Sequence, residues 1–179
     1  MKFAVIDIEA TCQESNKDFT METIEIGAVI LDDKFNKIAE YDSFIKPKLN
    51  PVLSDFCKQL TSITQDDVDK ARSFPEVWKE LTQVFNKEDV IMCSWGAYDR
   101  NQLIADLLLH GITEAPFWSQ HVNLKEVFRE VMKRGKSCGV AKALRIINIS
   151  FDGTHHRGID DARMIHKIAD LKLKSYFIK

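Results

Sequence analysis

The run Phe3-Ala4-Val5-Ile6-Asp7-Ile8-Glu9-Ala10 has the apolar, β-branched composition of a buried strand, interrupted by two acids. Strand side chains alternate, so Phe3, Val5, Asp7 and Glu9 point one way and Ala4, Ile6 and Ile8 the other. At roughly 3.4 Å per residue the two carboxylates share one face about 7 Å apart. Burying two unpaired anions costs several kcal/mol, so either they protonate or a positive group sits between them. A hard divalent cation suits an all-oxygen ligand set, which favours magnesium, manganese or calcium over zinc.

The rest of the chain must supply a core around that strand. At 179 residues with 45% hydrophobic content, a single domain over 1–179 is expected. No apolar stretch approaches the ~20 residues needed to span a bilayer, and the first strand follows Met1 directly, leaving no room for a signal peptide. The expectation is a soluble, cytoplasmic protein without a membrane partner. Cys12, Cys57, Cys93 and Cys138 are far apart in sequence, which suggests neither a zinc site nor a disulfide framework, and reduced buried thiols are expected. Charge is skewed along the chain. From Val122 onward there are 13 Lys plus Arg against 6 Asp plus Glu, net +7, and the remainder has 12 against 21, net −9. An anionic polymer could be drawn to the basic part while the acidic part holds cations, although solvated helix faces give the same count.

Thr23–Leu31 and Lys37–Ile45 read as second and third strands, joined by the polar turn Asp32-Asp33-Lys34-Phe35-Asn36 and therefore antiparallel. Pro47 and Pro51 close this part. Helical patterns follow over Leu53–Leu60, over Gln65–Lys70 behind a Thr64 cap, and over Pro75–Asn86. Val90–Ser94 reads as a fourth strand, Asp99–His110 as a helix ended by Gly111, and His121–Leu124 as a fifth strand. Helices are then expected over Lys125–Lys133, Gly139–Ile147 and Asp160–Leu173, with Asn148–Gly158 as a mobile loop. This order predicts an α/β fold: a mixed five-stranded sheet, three strands antiparallel then two parallel, flanked by helices.

Three more residues stand out against that framework. Asp99 sits where the fourth strand hands over to a helix and begins an inward stripe with Leu103 and Leu107, though a first-turn or N-cap role is an equal alternative. Asp161, Ile165 and Ile168 are spaced i, i+4, i+7 and face the core together. His156 lies five residues before that inward acid, and an imidazole with an ordinary pKa near 6.5 can take a proton from water at neutral pH. His110, His121, His155 and His166 carry no such context and read as surface or satisfied core groups.

In these residues the chain resembles the DEDDh 3′-to-5′ exonucleases of the ribonuclease H-like superfamily. Asp7-x-Glu9 matches the first motif, Tyr98-Asp99 the second and His156-x-x-x-x-Asp161 the third, in the family's order. Ala10-Thr11-Cys12, the stretch from Pro51 to Gln65, and Ser94-Trp95-Gly96 are similar to the branch that holds the histone-mRNA 3′ exonuclease and small-RNA-processing exoribonucleases. The resemblance implies a ribonuclease H-like fold, and the chain departs from some members in being expected as a bare nuclease domain without their RNA-binding extension. It also implies a two-metal site for Mg2+ or Mn2+, with Asp7, Glu9 and Asp161 on one ion and the other shared by Asp7 and reached by Asp99 through water. His156 would be the general base and Glu9 a further catalytic residue. Paired ions about 3.5–4 Å apart stabilise both the attacking and the leaving oxygen of an in-line displacement, which accounts for four acids in one place.

By the same resemblance the substrate is a single-stranded RNA or DNA 3′ end, with RNA favoured, and the product a nucleoside 5′-monophosphate. Backbone amides at Ala10 and Thr11 would meet the terminal sugar; Met21, Ile24, Leu60, Trp95 and Tyr98 would offer stacking or apolar surface beside His156. Arg157 and Arg163 are candidates for phosphate contact. Two other readings stand beside this one. Asp7-Ile8-Glu9-Ala10-Thr11 brushes against the haloacid-dehalogenase-type phosphatase signature, which normally has Asp at the second place and leaves His156 unexplained. A non-catalytic nucleic-acid binding module would keep the fold but would have no need for four mutually repelling acids.

Overall fold

The computed structural model describes residues 1–14, 19–85 and 89–177. Its elements, in chain order, are β1 (Lys2–Ala10), β2 (Thr23–Leu31), β3 (Lys37–Lys46), α1 (Asp55–Thr61), α2 (Gln65–Asp69), β4 (Arg72–Ser73), α3 (Phe74–Val84), β5 (Val90–Ser94), α4 (Tyr98–Leu109), β6 (Gln120–Asn123), α5 (Leu124–Val131), α6 (Val140–Ile146) and α7 (Gly158–Ile168). A π-helical turn, Ala169–Leu173, leads from α7 into the short α8 (Lys174–Phe177). The sheet order is β4-β3-β2-β1-β5-β6. β1, β2 and β3 are antiparallel neighbours, and β5 and β6 continue parallel to β1.

Six strands replace the expected five. The extra one, β4, is two residues long and pairs parallel to the end of β3 through Ile45 with Arg72 and Lys46 with Ser73. Two residues carry no periodicity for a sequence pattern to reveal. Helix boundaries move for local reasons. α1 starts behind Ser54, whose hydroxyl accepts the Cys57 amide at 3.0 Å, and α5 starts behind Asn123, whose side chain accepts the Lys125 amide at 3.1 Å. The expected C-terminal residue of the third helix, Asn86, lies outside the described residues. α7 begins at Gly158, earlier than Asp160, and its regular part ends at Ile168.

The alternation read from β1 divides the core into two layers. Phe3 and Val5 join Leu124, Phe128, Ala143, Leu144, Ile165 and Ile168 on the face covered by α5, α6 and α7. Ala4, Ile6 and Ile8 join Phe74, Trp78, Leu81, Leu103 and Leu107 on the face covered by α3 and α4. Phe35, expected as part of a polar turn, is fully buried at a positive φ of 64° and stacks on Phe177 at 4.8 Å. All four cysteines are free. Among the described residues no helix is long and apolar enough to cross a membrane.

One crossing fixes α7 over the sheet. A Cβ built on Gly27 in β2 would lie 2.1 Å from the Gly158 carbonyl carbon and the Ile159 nitrogen, so the helix backbone rests directly on the strand. From the other side, a Cβ on Gly158 would come within 3.0 Å of the Asp7 carbonyl oxygen. The segment expected as a mobile loop is anchored on its way into this crossing. Ile149 and Phe151 pack on the core, and the Thr154 amide donates to Asp160 at 2.9 Å.

Gly27→Ala cannot be accommodated by a side-chain rotation, because the clash is with backbone. It is expected to cost about 3 kcal/mol or more, at the upper end of overpacking effects. The urea midpoint of purified protein measures this, and a change within about 0.5 kcal/mol of wild type would show that α7 is not pinned there.

Candidate active site

Four acids reach one cleft from three elements, at the end of β1. β1 pairs with β5 only from Lys2 to Val5, so the two parallel strands separate before the acidic residues begin. The Ile8 amide, past that pairing, is taken by Asp99 Oδ1 at 3.2 Å. Asp99 is the second residue of α4, and the helix N-cap is Ala97, which makes no side-chain cap hydrogen bond. Asp99 thus stands in the first turn of α4, as one alternative expected, but is not its N-cap: its side chain accepts from β1, with only 6% of the residue exposed. Asp161, in the first turn of α7, accepts the His156 amide on Oδ2 at 2.7 Å. That bond is part of a tight approach in which His156 takes a left-handed backbone with φ 60°.

The cleft has a volume of about 550 Å³ and is lined by Asp7, Glu9, Asp99 and Asp161 together with Trp95, Tyr98, His155 and His156. Its remaining wall is α6, through Gly139, Val140, Ala141, Lys142 and Arg145. One ligand atom each from Glu9, His156 and Asp161 lies within 4.8 Å of the other two, a spacing that a single cation can bridge. A larger cavity of about 810 Å³ lies between α3 and the 112–117 segment, under Trp78, Phe85 and Phe117, and none of the four acids lines it.

Burial and mutual repulsion set the electrostatics. Burial is the first cause of an elevated Asp7 carboxyl, followed by the charges of Asp99, Asp161, Glu9 and Glu25. Burial and the Asp161 charge push Glu9 up from 4.5 to about 8. Asp99 rises from 3.8 to about 6, again mainly through burial, against the opposing pull of the Ile8 amide. Asp161 is raised by burial, with the His156 amide acting the other way. Among the described residues no Lys or Arg forms an ion pair with any of these four. The contact of His155 Nδ1 with Asp161 Oδ1, at 3.9 Å, is the nearest approach to one. An oxygen-rich set, largely buried, mutually repelling and without a direct Lys or Arg partner among the described residues, is the donor chemistry that a hard divalent cation fits.

The residues expected to touch substrate divide into two groups. Tyr98 and Trp95 both line the cleft, and Tyr98, whose hydroxyl reaches the exposed Met21 sulfur at 3.5 Å, forms one edge with Met21. Trp95 is anchored by its indole N–H, which donates to the Cys138 carbonyl at 2.7 Å. The others fit less well. Ile24 is completely buried between Leu53, Cys57, Ile63 and Val68 and has no surface to offer a base, because the β1–β2 pairing turns it into a separate small core. Leu60 is partly exposed on α1 but does not line the cleft. The Thr11 amide already donates to the Glu22 carbonyl at 2.8 Å, and the Thr11 hydroxyl accepts the Glu22 amide at 2.9 Å, so the amide is not free for a sugar. Ala10 is buried opposite Thr23, where the register skips Ile24 of β2.

The two arginine candidates for phosphate are occupied. Arg157 Nε sits 3.2 Å from Glu25 Oε2 and the guanidinium lies 4.9 Å over the Phe44 ring. Arg163 pairs with Glu40 at 2.7 Å and Asp160 at 2.9 Å. Sequence reasoning missed Glu25 altogether. It lies opposite Glu9 in the β1–β2 register, is fully buried, and accepts the Gly158 amide at 3.0 Å as well as Arg157. A glutamate in the otherwise apolar Thr23–Leu31 strand was the signal that could have found it. His155 is exposed, in line with the surface reading, and it also lines the cleft with its ring 3.6 Å from that of Phe151.

The fold and the site together define a ribonuclease H-like exonuclease domain. Residues 4–169 match the Exonuclease (RNase_T) family model, and the chain belongs to that family. It is 31% identical over 175 residues to the human 3'-5' exoribonuclease 1, covering 92% of this chain and 50% of that protein. It is 28% identical over 171 residues to the Bacillus subtilis protein named "Probable 3'-5' exonuclease KapD", covering 93% of this chain and 82% of that protein. The solved nuclease domain of 3'hExo, described as a DEDDh family member bound to rAMP, superposes with a TM-score of 0.89 at 29% identity over 97% of this chain and 92% of that one. The chain spans about half the length of the mammalian relatives it matches. Membership of this family removes the haloacid-dehalogenase reading of the Asp7 motif.

The raised carboxyls give the metal-free protein a defined pH dependence. A group such as Glu9, ordinarily near 4.5 and about 8 when folded, holds its proton in the folded state while the unfolded chain has lost it. Between those values the folded state binds more protons, so stability falls as pH rises. The melting temperature in EDTA is expected to drop from pH 5.5 to pH 8.5, and millimolar Mn2+ is expected to restore it. A flat or rising profile in EDTA would show that the acids are not forced together.

Proposed function

We propose that the chain is a 3′-to-5′ exonuclease that removes nucleoside 5′-monophosphates from single-stranded nucleic acid, RNA in preference to DNA. The observation that carries the reading is the convergence of Asp7, Glu9, Asp99 and Asp161 on one cleft with His156 beside them. The likeness to proteins named 3'-5' exoribonucleases, and to an rAMP-bound nuclease domain, supports both the reaction and the RNA preference. On this reading residues 1–179 act as one nuclease unit.

Asp7, Glu9, Asp99 and Asp161 would hold two ions, Mg2+ or Mn2+, which would supply positive charge to the scissile phosphate and the departing 3′ oxygen. The His156 imidazole, exposed at the cleft rim, accepts the proton of the attacking water. The water oxygen bonds to phosphorus, the bond from phosphorus to the 3′ oxygen breaks, and that oxygen takes a proton from solvent water to leave the shortened strand with a new 3′ hydroxyl. The bond from the His156 amide to Asp161 orients this step by holding the histidine backbone against the acid. Tyr98, Met21 and Trp95 provide the surface on which the terminal bases stack, a contact that suits any base because each has a π face.

A time course on 5′-labelled single-stranded RNA and DNA of matched sequence, with Mg2+ and Mn2+ compared, tests the proposal. Stepwise shortening from the 3′ end with release of 5′-mononucleotides is expected, faster on RNA. Internal cleavage, or no cleavage with either metal, would overturn it.

Asp7→Asn is expected to abolish cleavage while keeping the fold, and to raise the melting temperature in EDTA by removing repulsion. Turnover at the wild-type rate would refute the assignment. His156→Ala is expected to slow cleavage by roughly two to four orders of magnitude, the usual worth of a general base, with strand binding less affected. If the wild-type rate is the same from pH 6 to pH 9, the base is not a histidine.

A further inference from the structure

Two cations line the cleft and, among the described residues, are not engaged by any acid. Lys142 and Arg145 stand three residues apart on α6, on one side of the helix, while Ala143 and Leu144 between them are buried in the core and fix its orientation. Neither has a carboxylate partner among those residues; Arg145 Nε makes only a 3.4 Å bond to the Ala141 carbonyl. That sets them apart from Arg157 and Arg163, whose guanidinium groups are held by Glu25, Glu40 and Asp160.

This inference rests on the exonuclease reading. Two divalent ions would cancel the four acids, leaving the strand's own charges unanswered within the cleft. The terminal nucleotide carries only the scissile phosphate, and every other phosphate of the strand lies on its 5′ side. α4, which bears Tyr98, covers one face of the sheet, and α6 covers the other, so the cleft runs between the Tyr98 edge and the two cations. We propose that Lys142 and Arg145 bind the internucleotide phosphates immediately 5′ of the scissile bond, with the terminal nucleotide held at the Tyr98 edge. The interaction reads backbone charge and not base identity, so it raises affinity for a strand of two or more phosphates and leaves sequence preference unchanged.

The test compares wild type with the double variant Lys142→Gln/Arg145→Gln on two substrates. One is the p-nitrophenyl ester of uridine 5′-monophosphate, which has a single phosphate; the other is a 5′-labelled RNA hexamer. The ratio of KM for the hexamer to KM for the ester is expected to rise about tenfold or more in the variant. The slope of log binding constant against log salt for the hexamer, measured on a background of Asp7→Asn to prevent cleavage, should fall by about 0.7 for each phosphate that is no longer neutralised. The charge-keeping pair Lys142→Arg/Arg145→Lys should restore both readouts. If the ratio and the salt slope stay at their wild-type values while the ester and the hexamer are both cleaved, the phosphate interaction is refuted and the exonuclease reading stands. If wild type cleaves neither substrate, the exonuclease reading fails and this inference fails with it.

Discussion

The contact between Gly27 and Gly158 is the constraint on which the site depends. With no side chain at either position, the first turn of α7 lies directly on β2 and against the backbone of β1 at Asp7. That approach brings Asp161 to Asp7 and Glu9 across more than 150 residues of sequence. Glu25 locks it, taking the Gly158 amide and the Arg157 guanidinium with a carboxylate that has no access to solvent. His156 immediately precedes this lock, so its left-handed backbone and its bond to Asp161 follow from where Arg157 and Gly158 are held.

Buried acids in this protein fall into two kinds, and the difference separates support from chemistry. Glu22 accepts the amides of Leu49 and Asn50, each at 2.8 Å, together with that of Lys48, which makes it a clasp for the chain after β3. Asp106 accepts the Thr23 hydroxyl at 2.6 Å, the Thr23 amide and the Gln102 side chain, tying α4 to the start of β2. Glu25 has Arg157 and Gly158. Each of these three carboxylates has at least two hydrogen-bond donors, as buried polar groups require. Asp161 is held by one backbone amide, and Asp99 takes the Ile8 amide with its own amide and Ser94 also favouring its charged form, whereas burial and like charge dominate at Asp7 and Glu9. Mutually repelling acids collected at one point are a cost to the fold, and such costs are retained where a site needs them.

Much of this was legible in the sequence for a physical reason. A charge in a run that must be buried breaks a pattern of period two or 3.6, and Asp7, Glu9 and Asp161 each did so. The two core layers followed from the alternation in β1. What the sequence did not disclose depended on tertiary geometry. β4 is too short to show a pattern. Ile24 shares the alternation of any β2 residue, and only the packing of α1 and α2 over it shows that it is closed to ligands. Arg157 and Arg163 were plausible phosphate contacts until their carboxylate partners, 132 and 123 residues away, came into view. Lys142 and Arg145 gave no sign in the sequence, because an exposed cation on a helix is ordinary until the wall it faces is known.

The same repulsion that marks the site also governs how it loads. A carboxyl near 8, such as Glu9, holds a proton at neutral pH, and an incoming cation must displace it before the oxygen can serve as a ligand. Metal binding therefore releases protons, and apparent affinity rises with pH until the acids are ionised. Acids that must give up protons to hold cations, and a histidine that must be neutral to accept one, impose the same direction of pH dependence on the proposed reaction. A rate that climbs from mildly acidic to neutral pH is thus a property of the whole cluster, and assigning it to one residue requires the His156 variant alongside a direct measure of metal occupancy.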